Sequence, residues 1–255
     1  WWSHGFVALA FIAYIPSSPL SHLVLAPVNT GLANPEPSPN MGVLDFSAFE
    51  DEEADEAPTL GAARLTDFSG KSLLDFSSCL WCGRCHEVCP AAQTGKSLSP
   101  KGIILTLSEY MSEEKLEDDS LLVTISSAAI YSCTTCAACM EACPVLLNQP
   151  KAIMRMRQHL LMERSEIPEI MGQAHKSLEA RQHPFFGTGS GPNDWRKDIS
   201  VPIFEKGKTE YLLWVGCAAA YEERTQKVAR SMVNILQKAG VSFGILEESR
   251  CTGDP

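Results

Sequence analysis

The sequence predicts a multi-domain, mainly α-helical chain that ends in a short α/β portion. Three observations predict this: an uncharged apolar run at the start, two cysteine runs of identical spacing around a segment with helical periodicity, and a closing strand–helix–strand pattern. The 255 residues are enough for one large or two small domains. A hydrophobic content of 45% with 20% charged residues is typical of globular proteins and excludes fibrous or wholly disordered chains.

The opening segment is apolar and carries no charged side chain before Glu36. Residues 1–28 are long enough to cross a bilayer as a helix, which needs about 20 residues, and Pro16 and Pro19 predict a kink. A secretory signal peptide would have a basic start, which is missing here, and a buried core helix is the other alternative. We interpret 1–28 as a transmembrane helix, and we expect the chain to be a piece of a longer protein because its first Met is Met41.

Residues 29–63 are rich in Pro, Asn, Gly and acidic residues, which predicts a solvated linker. Most of the net charge of −10 lies there, because the first 63 residues contain no Lys or Arg but eight acids: Glu36, Asp45, Glu50, Asp51, Glu52, Glu53, Asp55 and Glu56. This acidity argues against nucleic acid as a partner, since phosphate binding requires basic patches.

The central segment, 64–180, contains three stretches with helical character. One begins at Pro100 and repeats apolar residues at helical spacing, a second covers Leu121–Tyr131, and a third covers 151–178. On the third stretch we interpret Arg155 and Arg157 as part of a solvated helix face rather than as a docking site for an acidic partner. Residues 181–208, rich in Gly, Pro and aromatic side chains, predict an extended connector.

Two cysteine runs carry the chemistry of the central segment. Both read Cys-x2-Cys-x2-Cys-x3-Cys-Pro, and their cysteines are Cys79, Cys82, Cys85 and Cys89, then Cys133, Cys136, Cys139 and Cys143. Four closely spaced thiolates suit an iron–sulfur cubane. A disulfide framework would need an oxidising compartment, and zinc sites usually use paired Cys-x2-Cys units. We therefore predict two [4Fe–4S] clusters.

The spacing also predicts which cysteines share a cluster. In bacterial two-cluster ferredoxins the fourth cysteine of each run binds the other cluster. The predicted ligand sets are therefore Cys79, Cys82, Cys85 and Cys143 for one cluster, and Cys133, Cys136, Cys139 and Cys89 for the other.

The last segment, 209–255, reads as a strand (Tyr211–Val215), a helix (Glu222–Ala239) and a strand (Val241–Leu246). A right-handed crossover makes such strands parallel. Cys217 and Cys251 each follow a strand, so we expect the two thiols to meet at the carboxyl edge of the sheet, where open α/β sheets bind ligands. A metal site, a disulfide and plain buried thiols all remain open there.

The two cysteine runs around a helical insert, followed by strands ending near Cys217 and Cys251-Thr252-Gly253, resemble the heterodisulfide-reductase-type iron–sulfur proteins. These include the iron–sulfur subunits of glycolate oxidase and anaerobic glycerol-3-phosphate dehydrogenase. The resemblance covers roughly residues 70–255 and implies an α-helical two-cluster ferredoxin domain at 64–180, then the first part of a cysteine-rich α/β domain. Thr252 stands where that family has a second cysteine, so the expectation at Cys217 and Cys251 is a simpler iron–sulfur cluster or none.

The opening segment resembles the last membrane helix of nitrate reductase gamma-type cytochrome b subunits, through Trp2-Ser3-His4 and the stretch from Pro16 to His22. A fusion of these parts resembles the membrane-bound electron-transfer-flavoprotein:quinone oxidoreductases. This resemblance implies that His4 and His22 bind haem b. Eighteen residues of helix make five full turns, which would place both imidazoles on one face about 27 Å apart. The alternative is that both are interfacial polar residues.

These resemblances imply a membrane-anchored iron–sulfur oxidoreductase subunit in the cell membrane, with its iron–sulfur domains facing the cytoplasm. It would pass electrons between a soluble donor, such as electron-transfer flavoprotein or a partner flavoprotein subunit, and the quinone pool through two [4Fe–4S] clusters and haem b. One alternative is a soluble iron–sulfur subunit of a glycolate, lactate or glycerol-3-phosphate dehydrogenase or of a heterodisulfide reductase. Another is a non-catalytic electron-carrier module. No residue is predicted to be catalytic.

Overall fold

The computed structural model describes residues 1–15, 18–33, 60–118, 120–189, 191–247 and 250–253. The chain divides into two compact units, Trp1–Glu166 and Ile167–Pro255. Most of the predicted acidic linker and Pro16 lie outside the described residues. The boundary between the units falls earlier than residue 180, where the sequence placed the end of the cluster-bearing domain.

The opening segment contains two helices, α1 (Trp2–Tyr14) and α2 (His22–Gly31), and a 3-10 turn at Pro19–Ser21 precedes α2. The described residues thus form two helices, one before and one after Pro16 and Pro19, where the sequence predicts a kink. The five-turn spacing between His4 and His22 is wrong, because it assumed one continuous helix. Pro19 explains part of the break, because proline lacks the N–H that an α-helix needs at interior positions. In the described part of the chain, none of the helices has the length and apolar character to span a bilayer.

Helix α2 packs on α3 (Gly70–Ser77) and on the loop after the second cysteine run. Asn29 is fully buried at this contact. Its Nδ2 donates to the Val145 carbonyl at 2.9 Å, and its Oδ1 accepts from Lys71 Nζ at 2.8 Å. Lys71 also pairs with the buried Asp75 at 2.7 Å. A polar network thus joins the end of the opening segment to the cysteine-bearing core.

Replacing Asn29 with Ala should destabilise the first unit, because it leaves the Val145 carbonyl and the Lys71 ammonium without their buried partner. We expect a loss of about 1–3 kcal/mol in the free energy of unfolding, measured in urea. Thr30→Ala is the matched control, since the Thr30 hydroxyl donates to the Ala26 carbonyl on the exposed face. This substitution should cost about 0.5 kcal/mol or less. Equal losses in both variants would contradict a specific role for Asn29.

The rest of the first unit consists of short helices around the cysteine runs. They are α4 (Arg84–Glu87), α5 (Pro90–Gln93), α6 (Pro100–Ser112), α7 (Leu121–Thr124), α8 (Ser127–Tyr131), α9 (Ala138–Glu141) and α10 (Gln149–Met162). Side chains cap the longer ones: Ser99 accepts from Gly102 N at the start of α6, and Asn148 accepts from Lys151 N at the start of α10. The stretch expected over Leu121–Tyr131 is divided into α7 and α8.

The core of the first unit lies between α3, α6 and α10. Its largest fully buried side chains are those of Leu65, Phe76, Ile104, Leu107, Leu121, Ile130, Leu147, Gln149, Ile153, Met156 and Leu160. Cys79, Cys89 and Cys143 belong to the same packed cluster. The cysteine runs are therefore anchored in this core rather than carried on surface loops.

The second unit contains α11 (Glu169–Arg181), β1 (Tyr211–Leu212), α12 (Gly216–Tyr221), α13 (Glu223–Lys238) and β2 (Phe243–Gly244). The two strands pair in parallel, with Tyr211 opposite Phe243, which confirms the predicted strand–helix–strand arrangement. Both strands are shorter than expected. The connector also adds a parallel bridge between Ile203 and Ile245. Gly244 permits this approach, because a Cβ there would lie 2.5 Å from the Phe204 backbone.

Candidate metal centres

The first cavity in the cysteine-bearing unit is lined by three cysteines of the first run and one of the second. They are Cys79, Cys82, Cys85 and Cys143. Cys79 and Cys143 are buried, whereas Cys82 is exposed at the rim. The structure therefore brings together the four thiols that the sequence predicts as one ligand set, although Cys143 lies 58 residues beyond Cys85 in the chain.

The second cavity has the complementary set. It is lined by Cys133, Cys136 and Cys139 of the second run and by Cys89 of the first. Cys89 and Cys139 are buried, and Cys136 is exposed, as Cys82 is in the first cavity. Each cavity thus combines one whole Cys-x2-Cys-x2-Cys loop with the cysteine that precedes the proline of the other run.

The two loops share a backbone conformation as well as a spacing. Two residues after the first cysteine, Trp81 and Thr135 have φ values of 57° and 53°. Two positions later, Gly83 and Ala137 have φ values of 84° and 61° and precede α4 and α9. Such left-handed residues in a short loop turn successive backbone N–H groups towards one side. The sequence repeat is therefore also a structural repeat.

Backbone amides already point at one cysteine sulfur in each cavity. Thr135 N donates to Cys133 Sγ at 3.4 Å, and Leu147 N donates to Cys143 Sγ at 3.4 Å. Donors of this kind stabilise thiolate charge and tune the potential of iron–sulfur clusters.

The buried thiols favour their neutral form in the absence of metal. Burial raises the pKa of Cys85 to about 11, and the neighbouring Cys79, Cys143 and Cys82 add to the rise. Burial also raises the pKa of Cys139 to about 12, with contributions from Cys133, Cys85 and Cys136. Metal binding requires thiolates, so assembling a cluster here releases protons.

Cys85 and Cys139 connect the two cavities. Each is the third cysteine of its loop, α4 packs against α9, and the charge of Cys85 contributes to the raised pKa of Cys139. The two cavities therefore lie side by side, which is the arrangement that passing an electron between two clusters requires.

The donor set and cavity walls fit four-iron clusters. Four thiol sulfurs are soft ligands of the type such clusters use. Within the described residues, no three His, Cys, Asp or Glu side chains are grouped closely enough to chelate one metal ion. A four-iron cluster requires a wider arrangement, because each thiolate binds a different iron.

Two arginines of α10 donate hydrogen bonds to backbone carbonyls of other segments, which corrects the interpretation of a solvated helix face. Arg155 donates to the Gly61 carbonyl at 2.9 Å. Arg157 Nη2 donates to the carbonyls of Ile130 and Cys133, each at 2.7 Å. Both contacts connect residues more than 20 positions apart, so helical periodicity contained no signal for them.

Gln149 is a further residue that the sequence did not single out. It begins α10, is 1% exposed and lines the first cavity beside its cysteines. Its Oε1 has no hydrogen-bond partner in the described part of the chain. A polar residue directly after the capping Asn148 is common at the start of a helix, so only the packing of the structure shows that Gln149 lines the cavity.

In the second unit, Cys217 and Cys251 lie next to each other as predicted. Burial raises the pKa of the Cys217 thiol, and so does its contact with Cys251. Cys217 lies in the first turn of α12, and Gly253 N donates to Cys251 Sγ at 3.4 Å. A cavity of about 330 Å³ adjoins Cys217, and its lining includes Trp214, Arg250 and Thr252.

His183 stacks on Tyr221 in this unit, with ring centroids 3.8 Å apart. The imidazole is 4% exposed, and its Nδ1 has no hydrogen-bond partner within the described residues. Burial lowers the pKa of His183, and the charge of Arg181 lowers it further. The folded chain therefore favours the neutral ring more strongly than the unfolded chain does.

Stability of the second unit should accordingly fall in mild acid. The contribution of His183 is fully present above its unfolded pKa of about 6.5 and is lost as the pH falls below that value, because only the unfolded chain then readily takes up the proton. His183→Phe keeps an aromatic ring on Tyr221 and removes the titratable imidazole. The thermal unfolding midpoint of this variant should therefore change less between pH 7 and pH 5 than that of the wild type. His175→Phe, at an exposed histidine, is the control. An unchanged pH slope in His183→Phe would contradict the assignment.

The two predicted haem ligands lie on different helices. His4 is exposed on α1, whereas His22 is the first residue of α2 and is partly buried, with a buried Nδ1 that has no hydrogen-bond partner in the described ranges. Helix α1 has no buried residue at all, and Trp2 and Phe6 are 89% and 77% exposed.

Comparison with known proteins agrees with this geometry. Residues 75–147 match the family model of the 4Fe-4S dicluster domain, a span that contains all eight cysteines of the two cavities. An "EtfAB:quinone oxidoreductase" of Syntrophomonas wolfei is 33% identical over the whole of this chain and 40% of its own length. A "probable membrane-anchored ferredoxin" of Chromohalobacter salexigens is 30% identical over 82% of this chain and 35% of its own length.

A further relative is less similar in sequence. It is one of the subunits of the dihydromethanophenazine:CoB–CoM heterodisulfide reductase of Methanosarcina barkeri, and it is 25% identical over 78% of this chain and 50% of its own length. The chain thus spans half or less of the length of these relatives. The resemblances to heterodisulfide-reductase-type proteins and to electron-transfer-flavoprotein:quinone oxidoreductases are confirmed, and the chain is related to iron–sulfur oxidoreductases through a match to the 4Fe–4S dicluster domain at residues 75–147.

Proposed function

We propose that this chain is the cluster-bearing part of a membrane-anchored iron–sulfur oxidoreductase that passes electrons between a soluble donor and the quinone pool. The observation that carries the proposal is the pair of adjoining four-cysteine cavities, each completed by a cysteine of the other run. The proposed ligands are Cys79, Cys82, Cys85 and Cys143 for the first cluster, and Cys133, Cys136, Cys139 and Cys89 for the second.

The clusters would supply one-electron chemistry, and the protein would supply position and environment. Buried cysteines exclude water from the inner side of each cavity, whereas the exposed Cys82 and Cys136 mark where a partner could approach. Backbone amides donate to Cys133 and Cys143 and hold their sulfurs in place.

The donor, the quinone and the membrane come from relatives. The relative named "EtfAB:quinone oxidoreductase" supports electron-transfer flavoprotein as the donor and quinone as the acceptor. The relative named as a probable membrane-anchored ferredoxin supports a membrane location. The exposed apolar surface of α1 is consistent with contact with lipid or with other membrane helices. In this proposal His4 and His22 bind haem b, and the iron–sulfur domains face the cytoplasm.

Cys217 and Cys251 would contribute to a third site. Their thiols are adjacent, each residue follows one of the paired strands β1 and β2 in the chain, and Thr252 supplies no thiolate. We propose a small iron–sulfur site that needs ligands besides these two. The heterodisulfide reductase relative favours a second candidate function, in which the same module serves a thiol–disulfide reaction partner instead of quinone.

The experiment uses membranes from cells that produce the native gene product. Reduced electron-transfer flavoprotein should reduce a quinone analogue in these membranes, and detergent should be needed to extract the protein. His4→Ala and His22→Ala should each remove about half of the b-type haem absorbance, since each would ligate one haem, while His175→Ala should leave it unchanged. Extraction by salt alone, or full haem absorbance in both variants, would exclude the membrane and haem parts of the proposal.

A further inference from the structure

Arg157 occupies a special position beside the second cavity. It lies on α10, and one guanidinium nitrogen, Nη2, donates to two carbonyls at once, those of Ile130 and Cys133, each at 2.7 Å. Its guanidinium carbon lies 5.5 Å from the centre of the Tyr131 ring. The side chain therefore spans the end of α8 and the first cysteine of the second loop.

These bonds reinforce a weak local contact, because the Ile130 carbonyl also accepts from Cys133 N at 3.4 Å. The last carbonyls of a helix have no partners within that helix, and Ile130 lies in the last turn of α8. The Cys133 carbonyl belongs to the loop that turns around the second cavity. By holding both, Arg157 fixes the position from which Cys133 enters the cavity.

Within the described part of the chain, no carboxylate forms an ion pair that neutralises the positive charge of Arg157. The described residues offer it no ion pair, and its contacts are the two carbonyls and the Tyr131 ring. A guanidinium stays protonated in proteins, and its attraction for nearby negative charge is strong where water is partly excluded. The closest cysteine loop therefore experiences a permanent positive charge.

We propose that Arg157 is a positioning residue for the second cluster, holding the Cys133 loop and raising the reduction potential of the cluster bound there. Reduction adds one electron to the cluster, with no bond broken and no proton moved, so the site gains one negative charge. The guanidinium stabilises that charge in the reduced state more than in the oxidised state. This inference rests on the proposed ligand set.

The test needs a chain with only the second cluster, which a Cys82→Ser/Cys143→Ser background provides under the proposed ligand set. In this background, Arg157→Gln removes the positive charge, whereas Arg157→Lys keeps the charge but lacks the planar guanidinium. Arg155→Gln is the control, because it removes an equal charge from the same helix at a side chain that contacts Gly61 instead of the cysteine loop. Each chain is reconstituted anaerobically with iron and sulfide, and the reduction potential is measured by a mediated titration followed by electron paramagnetic resonance.

Arg157→Gln should reduce the equilibrium constant for reduction at least tenfold, a shift of about 59 mV for a one-electron couple. Arg157→Lys should fall between the wild type and Arg157→Gln, and Arg155→Gln should match the wild type. An unchanged potential in Arg157→Gln, or an equal shift in Arg155→Gln, would overturn the inference.

Iron content separates this failure from failure of the ligand set. If the Cys82→Ser/Cys143→Ser background does not hold about four irons per chain, the proposed ligands are wrong, whatever Arg157 does. If Arg157→Gln fails to fold, Arg157→Met replaces it, because its unbranched side chain can still pack on Tyr131. If Arg157→Gln and Arg157→Met both lose the cluster and Arg157→Lys keeps it, the positive charge is required. If all three variants lose the cluster, Arg157 has a purely structural role and the inference about the reduction potential is overturned.

Discussion

Changing Cys82 and Cys143 together should leave the chain with one intact cluster, although the two residues belong to different cysteine runs. Both thiols line the first cavity, so the second cavity keeps its four cysteines. After anaerobic reconstitution, the Cys82→Ser/Cys143→Ser chain should hold about four irons, compared with about eight in the wild type.

The matched variant is Cys82→Ser/Cys89→Ser, which changes two cysteines of the same run. These residues line different cavities, so both clusters should be lost and the iron content should approach zero. If each run instead bound its own cluster, the two double variants would exchange results. The comparison therefore decides the ligand sets without depending on how either single variant behaves.

Truncating Leu107 to Ala should cost about 2–5 kcal/mol of unfolding free energy, because the side chain is 0% exposed and its removal leaves a cavity. Leu107 lies on α6, which packs against α3 and α4. It belongs to the same packed cluster as Cys79 and Cys143, so the loosened core should also release iron faster under a chelator.

Glu109→Ala is the control for this experiment, since Glu109 is exposed on the same helix. Its unfolding free energy, measured in urea, should stay within about 0.5 kcal/mol of the wild type. A similarly small loss in Leu107→Ala would show that α6 does not form part of the core that holds the cysteines.

The parts of this protein that could be predicted are those encoded by short-range patterns. The second strand is predicted because it follows an amphipathic helix that stops at Gly240. The φ of Gly240 is 68°, which is typical of the residue after a helix end. The opening segment shows the limit of such patterns. Hydropathy predicted one helix over 1–28, whereas the 3-10 turn at Pro19–Ser21 precedes a second helix whose Asn29 is buried against Val145.

By itself the sequence determined the cluster chemistry and the parallel strand pair. Three of the four ligands of each cubane come from one short loop, so their spacing is a local property that can be read directly from the sequence. Only the tertiary structure decided that Cys85 and Cys139 lie between two adjoining cavities, that Gln149 lines the first and that Arg157 holds the loop of the second. The physical reason is that these contacts join helices distant in sequence, and their partners are backbone carbonyls and thiols that become neighbours only when the core packs.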